Sequence, residues 1–532
     1  MTAVHDNAME LRRQEIQAGI DAGRSASARN RLGQFATPNA LAVDIARFAG
    51  TLLPADEHPR IRFADPAIGS GSFFSAALAA FGAGRLESAI GIEIDPVFSG
   101  AASELWAQAG LEVINGDFTR IIAQATRPPA PNFVLANPPY VRHHHVPREE
   151  KERLQALTQR LTGVSVNGLA GLYVYFVLLA TAWMEADGIA AWLIPSEFMD
   201  VNYGSALKTY LLDQVTLLRA HRFDPHDVQF GDALVSSVVV FLRKTRPLPN
   251  HEIEFTFGGT LLKPHASERV SRDDLRQTRK WSSYPSHSEN GQRTQVDGPL
   301  LGELFKVRRG IATGNNRFFI MEYGEAKRRG LPREYLRPIL PSPRLLKTTV
   351  IDADDRGNPL ITPQLCIIDC DLPEPILELR HPALWEYLKT ADVLGIKEGY
   401  LVGKRVPWYK QEQRAPAPIL CTYMGRGTHD KRPFRFVWNR SRAIGTNLYL
   451  MLYPQNHLAE MLRRDPARIE EVFALLGQIT GYEMRGEGRV YGGGLHKIEP
   501  SELCRISAAP FVRRWPELTG ESVMLQEAGL FD

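Results

Sequence analysis

The sequence predicts an α/β protein in which a doubly wound domain is followed by a second, mixed α+β domain. Three observations lead to this prediction. Apolar segments typical of strands alternate with helical segments from residue 40 to residue 245. The segment Arg246-Pro247-Leu248-Pro249-Asn250 is rich in turn-forming residues and marks a boundary. A chain of 532 residues is too long for one ordinary core, so we expect domains at residues 1–245 and 246–532.

Charge and cysteine content exclude several classes of protein. With 63 Lys+Arg against 60 Asp+Glu the net charge is +3, so any nucleic-acid face must be a local basic patch. The four cysteines form no C-x-x-C pair and no metal-ligand spacing with the histidines, so we expect no metal. The apolar stretch Gly171 to Trp183 is too short to span a bilayer, and residues 1–13 lack the apolar core of a signal peptide. We expect a cytoplasmic protein with reduced thiols and no membrane partner.

The first elements lead to a glycine-containing turn. Helical periodicity covers Glu10 to Ala22, and Thr37 is placed to cap a helix that Pro38 opens. The buried strand Ile61 to Ala64 then runs through a turn into the helix Phe74 to Phe81.

Within that turn, Gly69 and Gly71 would let a ligand approach the backbone closely. Asp65, at the end of the strand, would repel a pyrophosphate but suits the ammonium group of an amino-acid ligand.

Two further acidic residues follow the next two strands. Glu93 ends the strand Ala89 to Ile92, where it could accept both hydroxyls of a ribose. Asp117 ends the element that starts at Glu112, and its carboxylate could accept from an adenine amino group. Each acid alone could be a helix cap. With Asp65 they describe a pocket for a ligand that has a ribose and amines but no phosphates, which fits S-adenosylmethionine and not a dinucleotide.

Asn137-Pro138-Pro139-Tyr140 follows the apolar strand Phe133 to Ala136, at a carboxyl end where open α/β sheets place their chemistry. The Asn137 side-chain oxygen and the Pro138 carbonyl form a pair of acceptors for one planar amino group. The Tyr140 ring offers the attached aromatic system a face on which to stack. We predict a site for the exocyclic amine of a base.

The remaining elements complete the first domain. Three adjacent histidines at 143–145 are better suited to contacting phosphates, or to a mobile loop, than to binding a metal. Phe230 lies in a loop where the fold needs no aromatic residue, and it could also be a simple loop anchor. The predicted helices and strands after the histidines are Arg148 to Arg160, Leu169 to Glu185, Ile189 to Ile194, His221 to Phe223 and Val235 to Leu242.

Together these segments resemble the TaqI-type, gamma-order N6-adenine DNA methyltransferases of restriction-modification systems. The resemblance is carried by residues 34–38, 65–71, 91–96, 116–118 and 137–140, and by Phe230 followed by the Ser-Ser-Val-Val-Val run at 236–240. Ile68 and Ala36 depart from the family, which more often has Cys and an aromatic residue there. Residues 306–314 and 492–503 resemble stretches of the family's target-recognition domain.

The resemblance implies a Rossmann-like S-adenosylmethionine-dependent catalytic domain followed by a DNA target-recognition domain. Thr37 and Asp65 would hold the methionine part of the cofactor, Gly69 and Gly71 would permit its approach, Glu93 would bind the ribose and Asp117 the adenine. A flipped adenine would be held by Asn137, Pro138 and Tyr140, with Phe230 against its edge or other face. The enzyme would act as a monomer on double-stranded DNA and protect it from a cognate restriction endonuclease, if one exists.

Basic and aromatic residues alternate in the second domain and suit phosphate contact and base reading. They are Trp408, Tyr409, Lys410, Arg414, Tyr423, Arg426, Lys431, Arg432, Arg435, Trp438, Arg440 and Arg442. Some of them could instead belong to a solvated surface or to the core.

Several alternatives stay open on the sequence alone. The same turn could hold N4 of cytosine, an RNA base or a protein glutamine, and a catalytically silent DNA-specificity subunit is a rival of another class. We find no nuclease carboxylate–lysine cluster.

Overall fold

The computed structural model describes residues 2–25, 29, 33–124, 128–224, 236–285, 299–426, 432–491 and 494–519. The chain forms two compact units, Met1–Arg293 with Tyr491–Gly493, and Thr294–Val490 with Gly494–Asp532. The division of functional domains after residue 245 stays a prediction. The first compact unit itself extends further, because two strands after residue 245 continue its sheet.

The first unit combines nine helices and nine strands among its described residues. The helices are α1 Thr2–Ala22, α2 Asn39–Thr51, α3 Ser72–Phe81, α4 Pro96–Trp106, α5 Phe118–Ile121, α6 Arg148–Thr162, α7 Leu172–Trp183, α8 Ser205–Asp213 and α9 Arg272–Gln277. The strands are β1 Ile61–Asp65, β2 Leu86–Glu93, β3 Leu111–Asn115, β4 Phe133–Ala136, β5 Ile189–Pro195, β6 Thr216–Arg222, β7 Ser237–Arg243, β8 Glu252–Gly259 and β9 Pro264–Ser271.

These strands form one mixed sheet in the order β3-β2-β1-β4-β5-β7-β6-β8-β9. The five strands from β3 to β5 are parallel to one another. β7 is antiparallel to β5 and β6, β8 is parallel to β6, and β9 is antiparallel to β8. The predicted α/β class is confirmed.

The central strands β1, β4 and β5 are buried on both faces, as expected for parallel strands joined by helices. In β5, Trp192 and its alternate neighbours join one hydrophobic cluster, and Leu193 and its alternate neighbours join another. Helices α6 and α7 contribute to the first cluster, and α2 and α3 to the second. The doubly wound arrangement follows from this two-sided burial.

The predicted cap of the helix after Thr37 was wrong. Helix α2 begins at Asn39 with Pro38 at the capping position and no side-chain cap. The Thr37 hydroxyl instead accepts a hydrogen bond from Asn137 Nδ2 at 3.1 Å. Thr37 therefore bonds to a residue 100 positions away instead of to the first turn of α2.

The second unit contains a five-stranded sheet in the order β10-β18-β15-β17-β13 and a three-stranded sheet in the order β11-β14-β12, and β16 pairs with β20. Its strands are β10 Phe305–Arg309, β11 Ile320–Glu322, β12 Leu336–Ile339, β13 Val350–Ile351, β14 Leu365–Ile368, β15 Ile419–Thr422, β16 Met424–Arg426, β17 Phe436–Asn439, β18 Tyr449–Pro454, β19 Arg489–Tyr491 and β20 Leu495–Lys497. Its helices are α10 Leu301–Leu304, α11 Asn316–Phe319, α12 Tyr323–Arg328, α13 Glu374–Arg380, α14 Pro382–Val393, α15 Asn456–Arg464, α16 Ile469–Leu476, α17 Gly481–Glu487, α18 Pro500–Leu503 and α19 Ala509–Arg514.

Among the described residues, no helix combines the length and apolar character needed to cross a membrane.

Candidate active site

A cavity of about 730 Å³ lies in the first unit, at the carboxyl ends of four adjacent parallel strands. Pro66 follows β1, Glu93 ends β2, Gly116 follows β3 and Asn137 follows β4, and all four residues line the cavity. This is the edge at which open α/β sheets bind ligands.

The charge of the cavity wall is one-sided. Among the described residues, five carboxylates line it and no lysine or arginine does so. The carboxylates are those of Asp21, Glu93, Asp95, Asp117 and Glu150. Apolar surface comes from rings that include Phe118 and Phe176, whose centroids are 5.3 Å apart. Such a wall favours a ligand with an apolar body and positive charge over one that carries phosphates.

The Asn137 side chain is held in one orientation by its amide nitrogen. Asn137 Nδ2 donates to the Phe35 carbonyl at 2.9 Å and to Thr37 Oγ1 at 3.1 Å. The amide oxygen accepts no hydrogen bond from any described residue. With its nitrogen engaged on the protein, Asn137 is left with Oδ1 as an acceptor at the cavity.

Backbone packing connects the segment before Thr37 to the same turn. The Tyr140 amide donates to the Gly33 carbonyl at 3.2 Å. A Cβ atom added to Gly33 would lie 2.5 Å from the Tyr140 nitrogen, so only glycine allows this approach. Two segments that are about 100 residues apart in the sequence therefore form one structure.

The other residues of the turn differ in their exposure to the cavity. Pro139 lines it, whereas Pro138 is buried, and no described residue donates to the Pro138 carbonyl. Tyr140 is only 8% exposed; its ring packs against Phe35 at 5.6 Å and its hydroxyl donates to the Leu193 carbonyl at 3.0 Å. Base stacking on Tyr140 stays a prediction, and it requires residues over the ring to move when a base enters.

Glu93 connects the glycine turn to the second strand. Its Oε2 accepts from the Gly69 amide at 3.0 Å and its Oε1 from the Asp95 amide at 2.9 Å. Burial raises the pKa of Glu93, and these amides offset part of that rise. The backbone therefore fixes both carboxylate oxygens at the cavity.

Asp117 is both a helix cap and a cavity residue. Its Oδ1 accepts from the Thr119 amide at 2.8 Å, which caps α5, and from the Thr119 hydroxyl at 2.7 Å. Its Oδ2 lies 3.4 Å from Arg120 Nε. Asp117 is therefore a helix cap, which was one interpretation of the sequence, and it also lines the cavity. Its contact with an adenine amino group stays a prediction.

Asp65 lies behind the cavity wall. It is 2% exposed, it is not a lining residue, and its Oδ1 accepts from the Ala67 amide at 2.9 Å. Burial raises the pKa of Asp65 from 3.8 to about 8, with a further contribution from the charge of Glu93. Its predicted contact with the methionine part of a cofactor is untested.

A raised carboxyl pKa makes stability depend on pH. Because folded Asp65 retains its proton up to about pH 8 and the unfolded group loses it near 3.8, the free energy of unfolding should fall as pH rises between these values. Asp65→Asn should remove this component. Urea unfolding of the wild type and the variant at several pH values would measure it, and parallel pH profiles would contradict the assignment.

The two predicted glycines differ in their surroundings. Gly69 lines the cavity at φ +54°, and a Cβ there would meet nothing within 4 Å. Gly71, at φ +92°, packs so closely against Trp106 that a Cβ would lie 2.3 Å from Nε1. The structure thus places Gly69 at the cavity and Gly71 against helix α4. Direct approach of a cofactor to Gly71 stays a prediction.

We expect Gly71→Ala to destabilise the fold more than Gly69→Ala. Both variants meet a left-handed backbone cost of about 1–2 kcal/mol. Only Gly71→Ala adds overpacking, of roughly 1–3 kcal/mol. Denaturant unfolding of both variants would test this difference. Equal losses of stability would contradict the packing role of Gly71.

Sequence reasoning missed the part of helix α1 that lines the cavity. Gln17 and Asp21 are lining residues, although α1 showed only an ordinary helical pattern. Their i, i+4 spacing on the helix was the available signal. Phe230, which we predicted to contact the base, lies outside the described residues. No group of three or more potential metal ligands occurs in the described ranges.

In the second unit, the two stretches that resembled a target-recognition domain meet at Tyr423. The Arg309 guanidinium lies 4.1 Å from the centre of the Tyr423 ring, and Lys497 Nζ lies 5.1 Å from it. Lys497 also pairs with Glu499 at 2.8 Å, and the Tyr423 hydroxyl donates to Glu499 at 2.7 Å. Residues 492–493 of the second stretch lie outside the described part.

The basic and aromatic set from 408 to 442 divides into core and surface. Tyr409, Tyr423 and Trp438 are buried, and Arg435 donates to the Pro343 and Leu346 carbonyls. The exposed arginines of the set are Arg426, Arg432, Arg440 and Arg442. Lys431 lies outside the described residues. Among the described members of the set, the exposed residues are therefore all arginines.

Two family models match the chain. The Eco57I restriction-modification methylase model matches residues 132–229, and the model of the C-terminal domain of the type II methyltransferase M.Eco57I matches residues 288–522. The chain is 30% identical over 488 residues to the type II methyltransferase M.XamI of Xanthomonas campestris pv. amaranthicola, covering 90% of this chain and 85% of that protein. The chain belongs to the type II restriction-modification methyltransferases.

A second type II methyltransferase, M.AccI of Acinetobacter calcoaceticus, is 25% identical over 388 residues, covering 70% of this chain and 67% of that protein. Among solved structures, the type IIL restriction-modification enzyme MmeI in complex with DNA is similar at 16% identity and a TM-score of 0.50. This likeness covers 82% of this chain and 64% of MmeI, and it shows the fold alone. The family assignment therefore rests on the sequence relatives.

Proposed function

We propose that this type II methyltransferase transfers a methyl group from S-adenosylmethionine to the N6 amino group of a flipped adenine in double-stranded DNA, and so protects the DNA from a cognate endonuclease. One observation carries the proposal. A cavity lined by carboxylates and free of lysine and arginine among the described residues adjoins Asn137, whose Oδ1 has no described partner. The motif order supports the gamma arrangement, because the second unit follows the turn.

The cavity residues fit this cofactor. The Gly69 turn leaves open space where a side chain would stand, and Glu93 and Asp117 offer acceptors to the ribose hydroxyls and the adenine amine. The wall of carboxylates accommodates the positive charge of the methionine end. When bound, S-adenosylmethionine supplies an electrophilic methyl group.

The turn at Asn137 can activate the amine without a strong base. An adenine amine is a poor nucleophile, because its lone pair is delocalised into the ring. If Asn137 Oδ1 and the Pro138 carbonyl accept its two hydrogens, the nitrogen moves toward tetrahedral geometry and its lone pair becomes available. Positive charge develops on this nitrogen during methyl transfer, so the two acceptors stabilise the transition state more than the ground state.

The target base must leave the duplex to reach this turn. Unstacking and unpairing cost a few kcal/mol. A Tyr140 ring that becomes accessible, together with Phe230, would offset this by roughly 1–3 kcal/mol per stacked base. We therefore expect residues that cover the Tyr140 ring, such as Phe35, to move when the base enters.

Mass spectrometry of nucleosides tests the proposal. The purified chain is incubated with unmethylated genomic DNA and S-adenosylmethionine that carries a deuterated methyl group. We expect labelled N6-methyladenine. Labelled N4-methylcytosine would keep the chemistry and change the acceptor, whereas no labelled nucleoside, with transfer to RNA or protein instead, would overturn the assignment to DNA.

DNA binding should depend steeply on salt through the exposed arginines of the second unit. Each phosphate contact contributes about 0.9 to the slope of log K against log salt concentration. We expect Arg426→Ala to reduce the magnitude of this slope by about 0.9, the value of one phosphate contact. The variant should weaken binding to all DNA sequences alike. Arg464→Ala, exposed and paired with Glu460, is the control. Salt-independent binding by the wild type would contradict this role of the second unit.

A further inference from the structure

Helix α1 brings a carboxylate to the cavity. Its residues Gln17 and Asp21 lie one turn apart, and Gln17 Nε2 donates to Asp21 Oδ2 at 2.9 Å. Both side chains line the cavity, together with Gly33, Pro66 and Gly69. Asp21 lies one turn of α1 beyond Gln17, which is hydrogen-bonded to Ser70 of the glycine turn, and we assign this part of the cavity to the methionine end.

Two side-chain hydrogen bonds attach α1 to the glycine turn. The Ser70 hydroxyl donates to Gln17 Oε1 at 2.8 Å and accepts from Arg13 Nη1 at 2.9 Å. Arg13 is 3% exposed and forms a bidentate pair with Glu10, which is 6% exposed. The buried Arg13 side chain therefore joins α1 to the turn that carries Ser70.

A second attachment follows the end of α1. Arg24 pairs with Asp95 at 2.7 Å, and its guanidinium lies 5.1 Å from the centre of the Phe98 ring. Asp95 and Phe98 both line the cavity. Asp21 lies in the chain between this attachment and the one at Ser70. The helix is thus fastened to the cavity wall on both sides of Asp21.

The carboxylates of the wall differ in the groups that hold them. Glu93 takes two backbone amides, Asp117 caps a helix, and Asp95 caps α4 and pairs with Arg24. Glu150 pairs with Arg153 and Arg120.

Asp21 accepts from the neutral side-chain amide of Gln17 at 2.9 Å, and its ion pair with Arg29 is long, at 3.9 Å. The charge of Arg24 also acts on it. Asp65, the acid that the sequence suggested for this end, does not line the cavity. An ammonium group carries three donors and would satisfy the Asp21 carboxylate.

We propose that Asp21 binds the α-ammonium group of the methionine part of S-adenosylmethionine, which makes α1 part of the cofactor site. This inference rests on the proposed function. The adenosine part of the cofactor does not depend on Asp21.

Two ligands separate the ends of the cofactor in a calorimetric titration of the full chain. S-adenosylhomocysteine keeps the amino-acid end, and methylthioadenosine lacks it. We expect Asp21→Asn to weaken S-adenosylhomocysteine binding by roughly 10–100-fold, the range for a hydrogen bond to a charged group. Its affinity for methylthioadenosine should equal that of the wild type. Glu15→Gln makes the same change of charge on the same helix at a side chain that is 69% exposed, and should change neither affinity.

The outcomes are distinct. If the wild type binds neither ligand, the proposed function fails, and this inference fails with it. If Asp21→Asn binds S-adenosylhomocysteine as the wild type does, or loses affinity for both ligands equally, Asp21 does not contact the ammonium group. A Glu15→Gln variant that matches the loss seen for Asp21→Asn would overturn the inference, because the effect would then be one of general charge.

Discussion

Replacing Asn137 by alanine is expected to lower the single-turnover rate of methylation by roughly 10²–10³-fold, the usual effect of removing one preorganised polar group. The reason is that Oδ1, which accepts no hydrogen bond from a described residue, is the acceptor that we propose for the amine. The rate is measured with enzyme in excess over a duplex that contains the target site. A rate within a few-fold of the wild type would contradict the role of Asn137.

A matched variant separates chemistry from positioning. Thr37→Val removes one of the two acceptors that fix the Asn137 amide nitrogen and leaves Oδ1 in place. Since one neutral hydrogen bond contributes about 0.5–1.5 kcal/mol, the rate should fall only by roughly 2–10-fold. Titration with S-adenosylhomocysteine should show that both variants still bind the cofactor product. Equal rate losses in the two variants would mean that the turn merely needs to be intact.

Replacing Arg13 by methionine is expected to lower the free energy of unfolding by about 3–5 kcal/mol, the usual cost of leaving one partner of a buried ion pair alone. Arg13 Nε and Nη2 donate to Glu10 at 2.8 and 2.7 Å, and both side chains are buried. Burial alone would raise the pKa of Glu10, but hydrogen bonds from Arg13, Ser75 and Gln14 outweigh it and lower the pKa.

Denaturant unfolding measures this loss of stability, and its pH dependence tests whether the ion pair is the cause. A lowered Glu10 pKa contributes stability above the ordinary carboxyl range, and that stability is lost as pH falls through the folded pKa. The deficit of Arg13→Met should therefore shrink at acidic pH, where Glu10 is protonated in the variant. The double variant Glu10→Gln/Arg13→Met should recover part of the loss. A deficit that is the same at all pH values would contradict the ion-pair explanation.

The sequence was informative where local rules decide the structure. Strands such as β1 and β4 are short apolar runs that end in Asp65 or just before Asn137, and their order along the chain leads to parallel pairing through helical crossovers. Glu93, Asp117 and Asn137 accordingly line one cavity, whereas Asp65 does not.

Contacts between distant segments could not be predicted in this way. Thr37 looked like a helix cap, because local pattern does not reveal that Asn137 would be its partner. Tyr140 looked like an open platform, but its burial depends on Phe35 and Leu193. Arg435 looked like a phosphate contact, yet it donates hydrogen bonds to two backbone carbonyls. The sequence likewise did not predict that helix α1 lines the cavity, because this too depends on contacts between distant segments.

A crystal structure of the chain bound to S-adenosylhomocysteine and a duplex with its target site tests the central claim most directly. We predict an extruded adenine whose amino nitrogen lies about 3 Å from both Asn137 Oδ1 and the Pro138 carbonyl oxygen. An adenine that remains stacked in the duplex, or an amino group bound away from these two oxygens, would contradict it.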